Sequence, residues 1–242
     1  MVDNLINERI AKKIANSGLC SRREAERLIN NGCVKLNGNV VKNCNINVTK
    51  KDIIEVNNQK LKAKEKIKLW LYYKKKGFLV TTKDIRGRPN IFDEIKLKVN
   101  KRLISIGRLD FNSEGLLLLT NNGDFARKLE LPQNKFQRTY KVRIFGKIDN
   151  KIKDKLKNGI IVNSIKYKPI ELELEEEKGK NRWLTMRLYE GKNREIRKIM
   201  DHFGCTVNRL IRISYGPFNL KDLKPGQLTE LKYKNFNKLL KS

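Results

Sequence analysis

From residue 69 onward the chain is cut into short runs of apolar and β-branched residues, with glycine-containing turns between them and few helical stretches. That spacing constrains the fold more than any other feature. It predicts strands over 69–73, 79–82, 103–106, 116–120, 139–145 and 183–189, and helices over 124–131, 151–158 and 193–203. Strands in such numbers, with helices set among them, call for an α+β domain with a mostly antiparallel sheet. The acidic patch 171–177 fits the solvated face of one more strand, and no internal repeat is visible. The longest apolar stretches, around 69–73 and 116–119, are far too short to span a bilayer.

The first sixty or so residues follow a different pattern. Ile6, Ile10 and Ile14 recur at every fourth position, with Arg9, Lys12 and Lys13 beside them, and Gly18 then stops the helix. Ser21 and Glu24 form a capping box that starts a second helix burying Ala25, Leu28 and Ile29 and ending at Gly32. Asn37-Gly38 between two apolar runs marks a hairpin. The Lys-rich stretch 59–68 reads as a linker. The division expected is 1–62 for the small domain, 63–68 for the linker and 69–242 for the large domain.

With 55 Lys+Arg against 26 Asp+Glu, the formal charge is +29. A charge of that size suits an anionic partner, and nucleic acid gains most because bound cations release its counterions. Lys, Asn and Ile are abundant together, as an AT-rich genome produces, so composition alone leaves drift as a second explanation. Cys20, Cys33, Cys44 and Cys205 form no CxxC pair and His202 is the sole histidine, which argues against a zinc site. Free thiols in a chain without a recognisable signal peptide fit a reducing cytosol.

The segment from Ile106 to Asp124 carries the most chemistry. A strand runs into Gly107, a loop holds Arg108-Leu109-Asp110, and an apolar strand follows, closed by Asn121-Asn122-Gly123 with Asp124 as helix cap. A carboxylate on a loop between two buried strands is rigidly placed, as a catalytic group should be. Capping a turn or pairing with Arg108 is the other role physically open to Asp110. Farther on, Asn193 is suited to cap a helix that Gly204 stops, with Ile196, Ile199, Met200 and Phe203 on one face. Over Gln137–Val142, period-two alternation places Arg138, Tyr140 and Val142 on one face.

Two family resemblances give these features a function. Glu8-Arg9-Ile10, Gly18-Leu19-Cys20-Ser21-Arg22-Arg23-Glu24-Ala25, Leu28-Ile29 and Val34 through Gly38 resemble the S4 RNA-binding domain over about residues 8–55. The resemblance implies RNA contacts by Arg9, Lys12, Lys13, Ser21, Arg22, Arg23, Arg27 and Lys35. The segment Ile106–Asp124, with Tyr189 to Gly204, resembles the pseudouridine synthases of ribosomal RNA that carry an N-terminal S4 domain. The likeness extends through 72–84, 87–93 and 209–218, and around 190–198 and 209–218 it leans toward enzymes of large-subunit RNA. It implies that Asp110 is the catalytic carboxylate, with Arg197 as its forked partner and Tyr140 as the ring that stacks on the uracil. Arg108, Arg138 and the apolar wall at Leu210 would complete the substrate site. Where the family has Lys-Pro-x-Gly, this chain has Lys74-Lys75-Lys76-Gly77, a change expected to loosen that loop.

The implied reaction isomerises uridine within RNA and passes no group or electron to another molecule, so it calls for no cofactor and no metal. The implied partner is ribosomal RNA or a ribosomal precursor particle, met by a monomer in the cytoplasm and away from membranes. A non-catalytic S4-type protein assisting ribosome assembly is the alternative from another class.

Overall fold

The computed structural model describes residues 7–63, 65–178 and 181–241, with the side chains of 176–178 and 241 outside that set. Ile6 also falls outside it. The chain divides into two compact units, one of residues 1–67 with the short segments 100–103 and 121–123, the other of 68–99, 104–120 and 124–242.

The smaller unit runs β1 (Glu8–Arg9), α1 (Ile10–Asn16), α2 (Arg22–Asn30), β2 (Val34–Leu36), β3 (Asn39–Val41), β4 (Asn47–Val48), β5 (Ile54–Val56) and β6 (Gln59–Lys60). Residues 8 and 9 pair with β4, so the first helix begins at Ile10 rather than one turn earlier. The Ser21 Oγ accepts from the Glu24 N–H at 3.1 Å and starts α2. Ile10, Ile14, Ala25, Ile29, Val34, Val48 and Ile54 close one core. Asn37 and Gly38 both take positive φ, 51° and 87°, making the two-residue turn between β2 and β3. Gln59 and Lys60 pair with β5 and Leu61 packs on the core, so the start of the expected linker is part of this unit.

The larger unit is built on β7 (Leu69–Lys74), α3 (Ile91–Lys96), β8 (Ile104–Ile106), β9 (Glu114–Thr120), α4 (Gly123–Glu130), β10 (Arg138–Phe145), α5 (Asn150–Lys157), β11 (Ile160–Val162), β12 (Ile165–Tyr167), β13 (Glu171–Lys178), β14 (Asn181–Leu188), α6 (Glu195–His202), β15 (Thr206–Tyr215), β16 (Phe218–Asn219), β17 (Leu228–Glu230) and α7 (Lys238–Lys241). Its nine-stranded sheet runs β13-β14-β10-β15-β9-β7-β17, with β16 beside β15 and β8 beside β9. Every pairing is antiparallel except β15 with β9.

Val142, Ile144, Leu184 and Met186 alternate onto one sheet face, where Leu156 of α5 and Ile196, Ile199 and Met200 of α6 cover them. On β13, Glu173 meets Arg187 at 2.7 Å and Glu175 meets Lys141, which accounts for the acidic patch as a paired strand face. The side chains of Glu176 and Glu177 lie outside the described set. In β9, residues 115–120 are all buried, as a continuous apolar run in a central strand requires. Gly115 makes the β9–β15 pairing possible, because a Cβ there would sit 2.8 Å from the Arg212 amide nitrogen and nearer still to its carbonyl oxygen.

Two expected elements differ. Residues 79–82 form no strand, only an isolated bridge from Leu79 to Asn90. The chain turns there instead, with the Thr81 Oγ1 donating to the Lys83 carbonyl and an Arg88–Asp84 fork at 2.7 and 3.1 Å closing the loop. Helix α4 starts at Gly123, so Asp124 stands in its first turn rather than at its cap.

Candidate active site

Asp110 sits in the loop that joins β8 to β9, and that loop is held by its backbone. The Asp110 carbonyl accepts from the Ser113 N–H at 3.0 Å and the Phe111 carbonyl from the Gly77 N–H at 2.8 Å. The Asn112 carbonyl accepts from Arg197 Nη2 at 2.9 Å, and the Ser113 carbonyl from Lys74 Nζ at 2.7 Å. Four successive carbonyls are thereby engaged. Upstream, the Gly107 N–H donates to the Glu130 carboxylate at 2.6 Å, and Leu109 is buried in the core. The Asp110 carboxylate itself takes no hydrogen bond or ion pair among the described residues. It faces a cleft of about 800 Å³ lined also by Arg108, Arg138, Tyr140, Arg194, Leu210 and Arg212. A rigid backbone carrying an unengaged carboxylate into a cleft is the geometry that a preorganised reactive group requires.

The strands explain the rest of the lining. Tyr140 on β10 lies in register with Arg212 on β15, and Val142 with Leu210, so adjoining positions of two strands furnish the ring and the apolar wall. Arg138, 8% exposed, donates to the Tyr189 carbonyl and the Tyr215 hydroxyl, each at 2.9 Å, while the hydroxyl donates to the Leu129 carbonyl at 2.8 Å. Arg138 is thus anchored in the wall, and the exposed Arg108 is the freer cation of the pair.

Arg197 does not fork onto Asp110. It spans two carbonyls, Asn112 and Val207, each at 2.9 Å, and its Nε is buried without a partner among the described residues. Burial lowers the guanidinium from its ordinary value, nearby Arg194 adds to this, and Asp110 opposes it. Arg197 therefore holds the loop by its backbone and places a positive charge within electrostatic reach of the carboxylate. Asn193 does not cap α6 either. Arg194 occupies that position at φ 52°, and the Glu195 carboxylate turns back to accept from the Lys192 N–H at 2.9 Å. Gly204 does end the helix, with its N–H on the Asp201 carbonyl and that of Cys205 on Met200. Lys75 does not loosen its loop. It meets Glu94 at 3.0 Å and lies 4.6 Å over the Phe78 ring, so an ion pair tethers the segment.

Three buried ionisable residues here escaped the sequence reading. Lys74 is wholly buried, and burial brings its amine down to about 8 against the opposing pull of Asp110 and Glu114. Nothing in a run of three lysines marks which one is inside. Arg212, 2% exposed, donates from Nε to the Leu116 carbonyl at 2.7 Å, and its Nη2 has no partner among the described residues. Alternation on β15 from Leu210 could have found it. Glu195 looks like an ordinary first-turn acid and is 3% exposed.

In the smaller unit, Arg22, Arg23 and Arg27 project from α2 as expected, but Arg22 pairs with Glu26 at 3.4 Å and Arg27 with Glu24 at 3.1 Å. Arg9 donates to Asn45 at 2.6 Å and Lys13 to the Thr49 carbonyl. Lys12 and Lys35 are half-buried. Ser21 serves the helix cap. Among the described residues no helix is long and apolar enough to cross a membrane, and no group of three or more His, Cys, Asp or Glu residues could hold a metal ion.

A basic helical unit with a small sheet, and an α+β unit that carries an unengaged carboxylate in a cationic cleft, together fit an RNA-acting enzyme. The chain belongs to the RNA pseudouridylate synthase family, whose profile matches residues 68–202, and an S4 domain profile matches 8–54. It is 46% identical over 231 residues to an uncharacterized RNA pseudouridine synthase of Rickettsia felis, covering 96% of this chain and 100% of that one. It is 38% identical to ribosomal large subunit pseudouridine synthase B of Buchnera aphidicola, covering 97% and 96% of the two chains. The corresponding figures for the Bacillus subtilis protein of that name are 37%, 93% and 92%. A crystal structure of a pseudouridylate synthase superposes with a TM-score of 0.65 at 25% identity, covering 96% of this chain and 99% of that one.

Proposed function

We propose that this chain isomerises uridine to pseudouridine in large-subunit ribosomal RNA, with Asp110 as the reactive carboxylate. The observation that carries the reading is the Asp110 loop, whose four clamped carbonyls leave the carboxylate alone free to act. The uridine leaves the stack and enters the cleft, where Tyr140 offers a ring to the base and Leu210 an apolar wall that keeps the detached uracil from escaping. The bond from N1 to the ribose breaks, the base turns, and a bond forms from C5. C5 gives up a proton and N1 takes one, so atoms and electrons balance within the substrate. Asp110 can serve this sequence as nucleophile at the sugar or as base. Arg197 and Lys74 set the loop, and Arg108 and Arg138 supply positive charge toward the RNA backbone.

The choice of large-subunit RNA rests on the names of the Buchnera and Bacillus relatives. The protein works in this reading as a monomer in the cytoplasm, on ribosomal RNA or a precursor particle, with residues 1–62 as the RNA-gripping domain, 63–68 as linker and 69–242 as the catalytic domain. Arg9, Lys12, Lys13, Arg22, Arg23, Arg27 and Lys35 line that grip. The test is pseudouridine formation on ribosomal RNA by the native chain and by Asp110→Asn. The variant should bind RNA almost as well and form none. Turnover near that of the native chain would overturn the assignment and favour an RNA-binding assembly factor.

A further inference from the structure

The loop between β14 and α6 is bracketed by two buried carboxylates, Glu190 at 7% exposure and Glu195 at 3%. Glu190 accepts from the Lys168 N–H at 2.7 Å and meets Lys192 Nζ at 3.3 Å. Glu195 accepts from the Lys192 N–H through Oε2 at 2.9 Å, while Oε1 is buried with no partner among the described residues. Residues 191–195 all line the cleft, and the exposed Arg194 sits at φ 52°, in the left-handed region that costs a non-glycine residue about 1 kcal/mol or more. A strained loop persists only where its surroundings hold it: the Arg194 carbonyl accepts from the Lys198 N–H at 2.9 Å, the Lys192 carbonyl from the Glu195 N–H at 3.1 Å, and the Glu195 side chain adds the bond from the Lys192 N–H.

We propose that Glu195 is a positioning residue, a buried latch that seats the Lys192–Arg194 loop in the cleft wall so that Arg194 meets the RNA backbone. This rests on the reading of the cleft as the RNA site.

The latch works best with a proton on it. Burial pushes the Glu195 carboxyl up to about 7, the Glu190 carboxylate adds to the rise, and the Lys192 N–H, the Lys192 ammonium and Arg138 on β10 oppose it. Tyr167 on β12 faces the same group. A released loop would return the carboxyl to water and its ordinary value. Seating therefore takes up a proton: it is fully favoured below that ordinary value and loses ground as pH rises toward 7, where the buried carboxylate ionises against Glu190.

The test measures KM and kcat on ribosomal RNA from pH 6 to 8 for the native chain, Glu195→Gln and Glu195→Ala. Native KM should rise about threefold or more across that range with little change in kcat, as expected when a proton is linked to loop seating. Glu195→Gln keeps the acceptor for the Lys192 N–H without the charge and should hold KM at its low-pH value throughout. Glu195→Ala should raise KM at every pH. A Glu195→Gln profile that follows the native one, or an unchanged Glu195→Ala, would overturn the latch. Hydrogen exchange at the Lys192 amide reads the same seating without RNA. Its protection should fall with pH in the native chain and stay level in Glu195→Gln, and identical behaviour in the two would sink the latch whether or not the chain makes pseudouridine.

Discussion

The Lys74 ammonium donates to the carbonyl of Ser113 across 2.7 Å, from a side chain with no exposed surface, and so ties the end of β7 to the loop that carries Asp110. It donates as well to the Lys75 carbonyl at 3.0 Å and reaches the Phe111 carbonyl at 3.5 Å. Lys74→Met keeps the stem but leaves buried carbonyls unsatisfied, which costs about 1–3 kcal/mol. A lowered melting temperature and a reduced kcat should appear together.

The same amine gives stability and activity opposite responses to alkali. Its value in the fold, about 8, is below the ordinary 10.5, so between those limits the unfolded chain binds more protons and stability rises with pH. Over the same range the positive charge near Asp110 disappears. On this account kcat falls along an alkaline limb centred near pH 8, and Lys74→Met lacks the limb. A native profile flat from pH 7 to 9 would remove Lys74 charge from the mechanism.

Much of this was legible from residue order, and the exceptions share a cause. Strands near 69–73, 116–120, 139–145 and 183–189 and the helices that cover them follow from alternation and periodicity, which depend on near neighbours. Asp110, Tyr140 and Leu210 were singled out through motifs and do line one cleft. What stayed hidden depends on distant partners. Residues 79–82 have strand composition, but the Asp84–Arg88 fork turns them into a loop. Arg197 carries the right charge for a fork, yet carbonyls from Asn112 and Val207 reach it first. Lys74 and Glu195 are buried because of what packs over them, and a lysine run or a first-turn acid carries no sign of that.

Within α2 the arginines should differ in their service to RNA. Arg27 is held by Glu24, whereas the exposed Arg23 makes no ion pair among the described residues. Arg23→Ala should lower the slope of log affinity against log salt by about 0.7–0.9, the value of one phosphate contact. Arg27→Ala should lower it less. Equal slopes for Arg23→Ala and the native chain would show that this helix does not face the backbone.

Gly115 pairs with Arg212 where β9 meets β15. Its φ of 104° alone strains any L side chain by about 1–3 kcal/mol, and a Cβ would also press on the Arg212 backbone. Gly204→Ala is the natural comparison, since its φ is 73° but nothing lies within 4 Å of the added atom. Chemical denaturation should show Gly115→Ala losing clearly more stability than Gly204→Ala. Equal losses would mean that the two strands can part without cost.

Arg197→Met and Lys198→Met change adjacent residues of α6 by the same loss of charge, and the structure separates them. Arg197 bridges the Asn112 carbonyl in the Asp110 loop and the Val207 carbonyl at the start of β15, while no hydrogen bond or ion pair engages the Lys198 side chain among the described residues. Methionine keeps most of the aliphatic stem at either position, so helix packing should suffer little and about equally. At Arg197 two charge-assisted bonds vanish, each worth about 1.5–3 kcal/mol, and part of that loss falls on the placement of Asp110. A fraction near 1.4 kcal/mol reaching the transition state would lower the rate about tenfold. At Lys198 the expected loss is RNA affinity, restored by lowering the salt. Single-turnover rates at saturating RNA read placement without affinity, and there Arg197→Met should be slower by about tenfold or more while Lys198→Met stays near native. Equal rates for the two variants would mean that α6 supplies only a basic surface and that the Asp110 loop holds its place without Arg197.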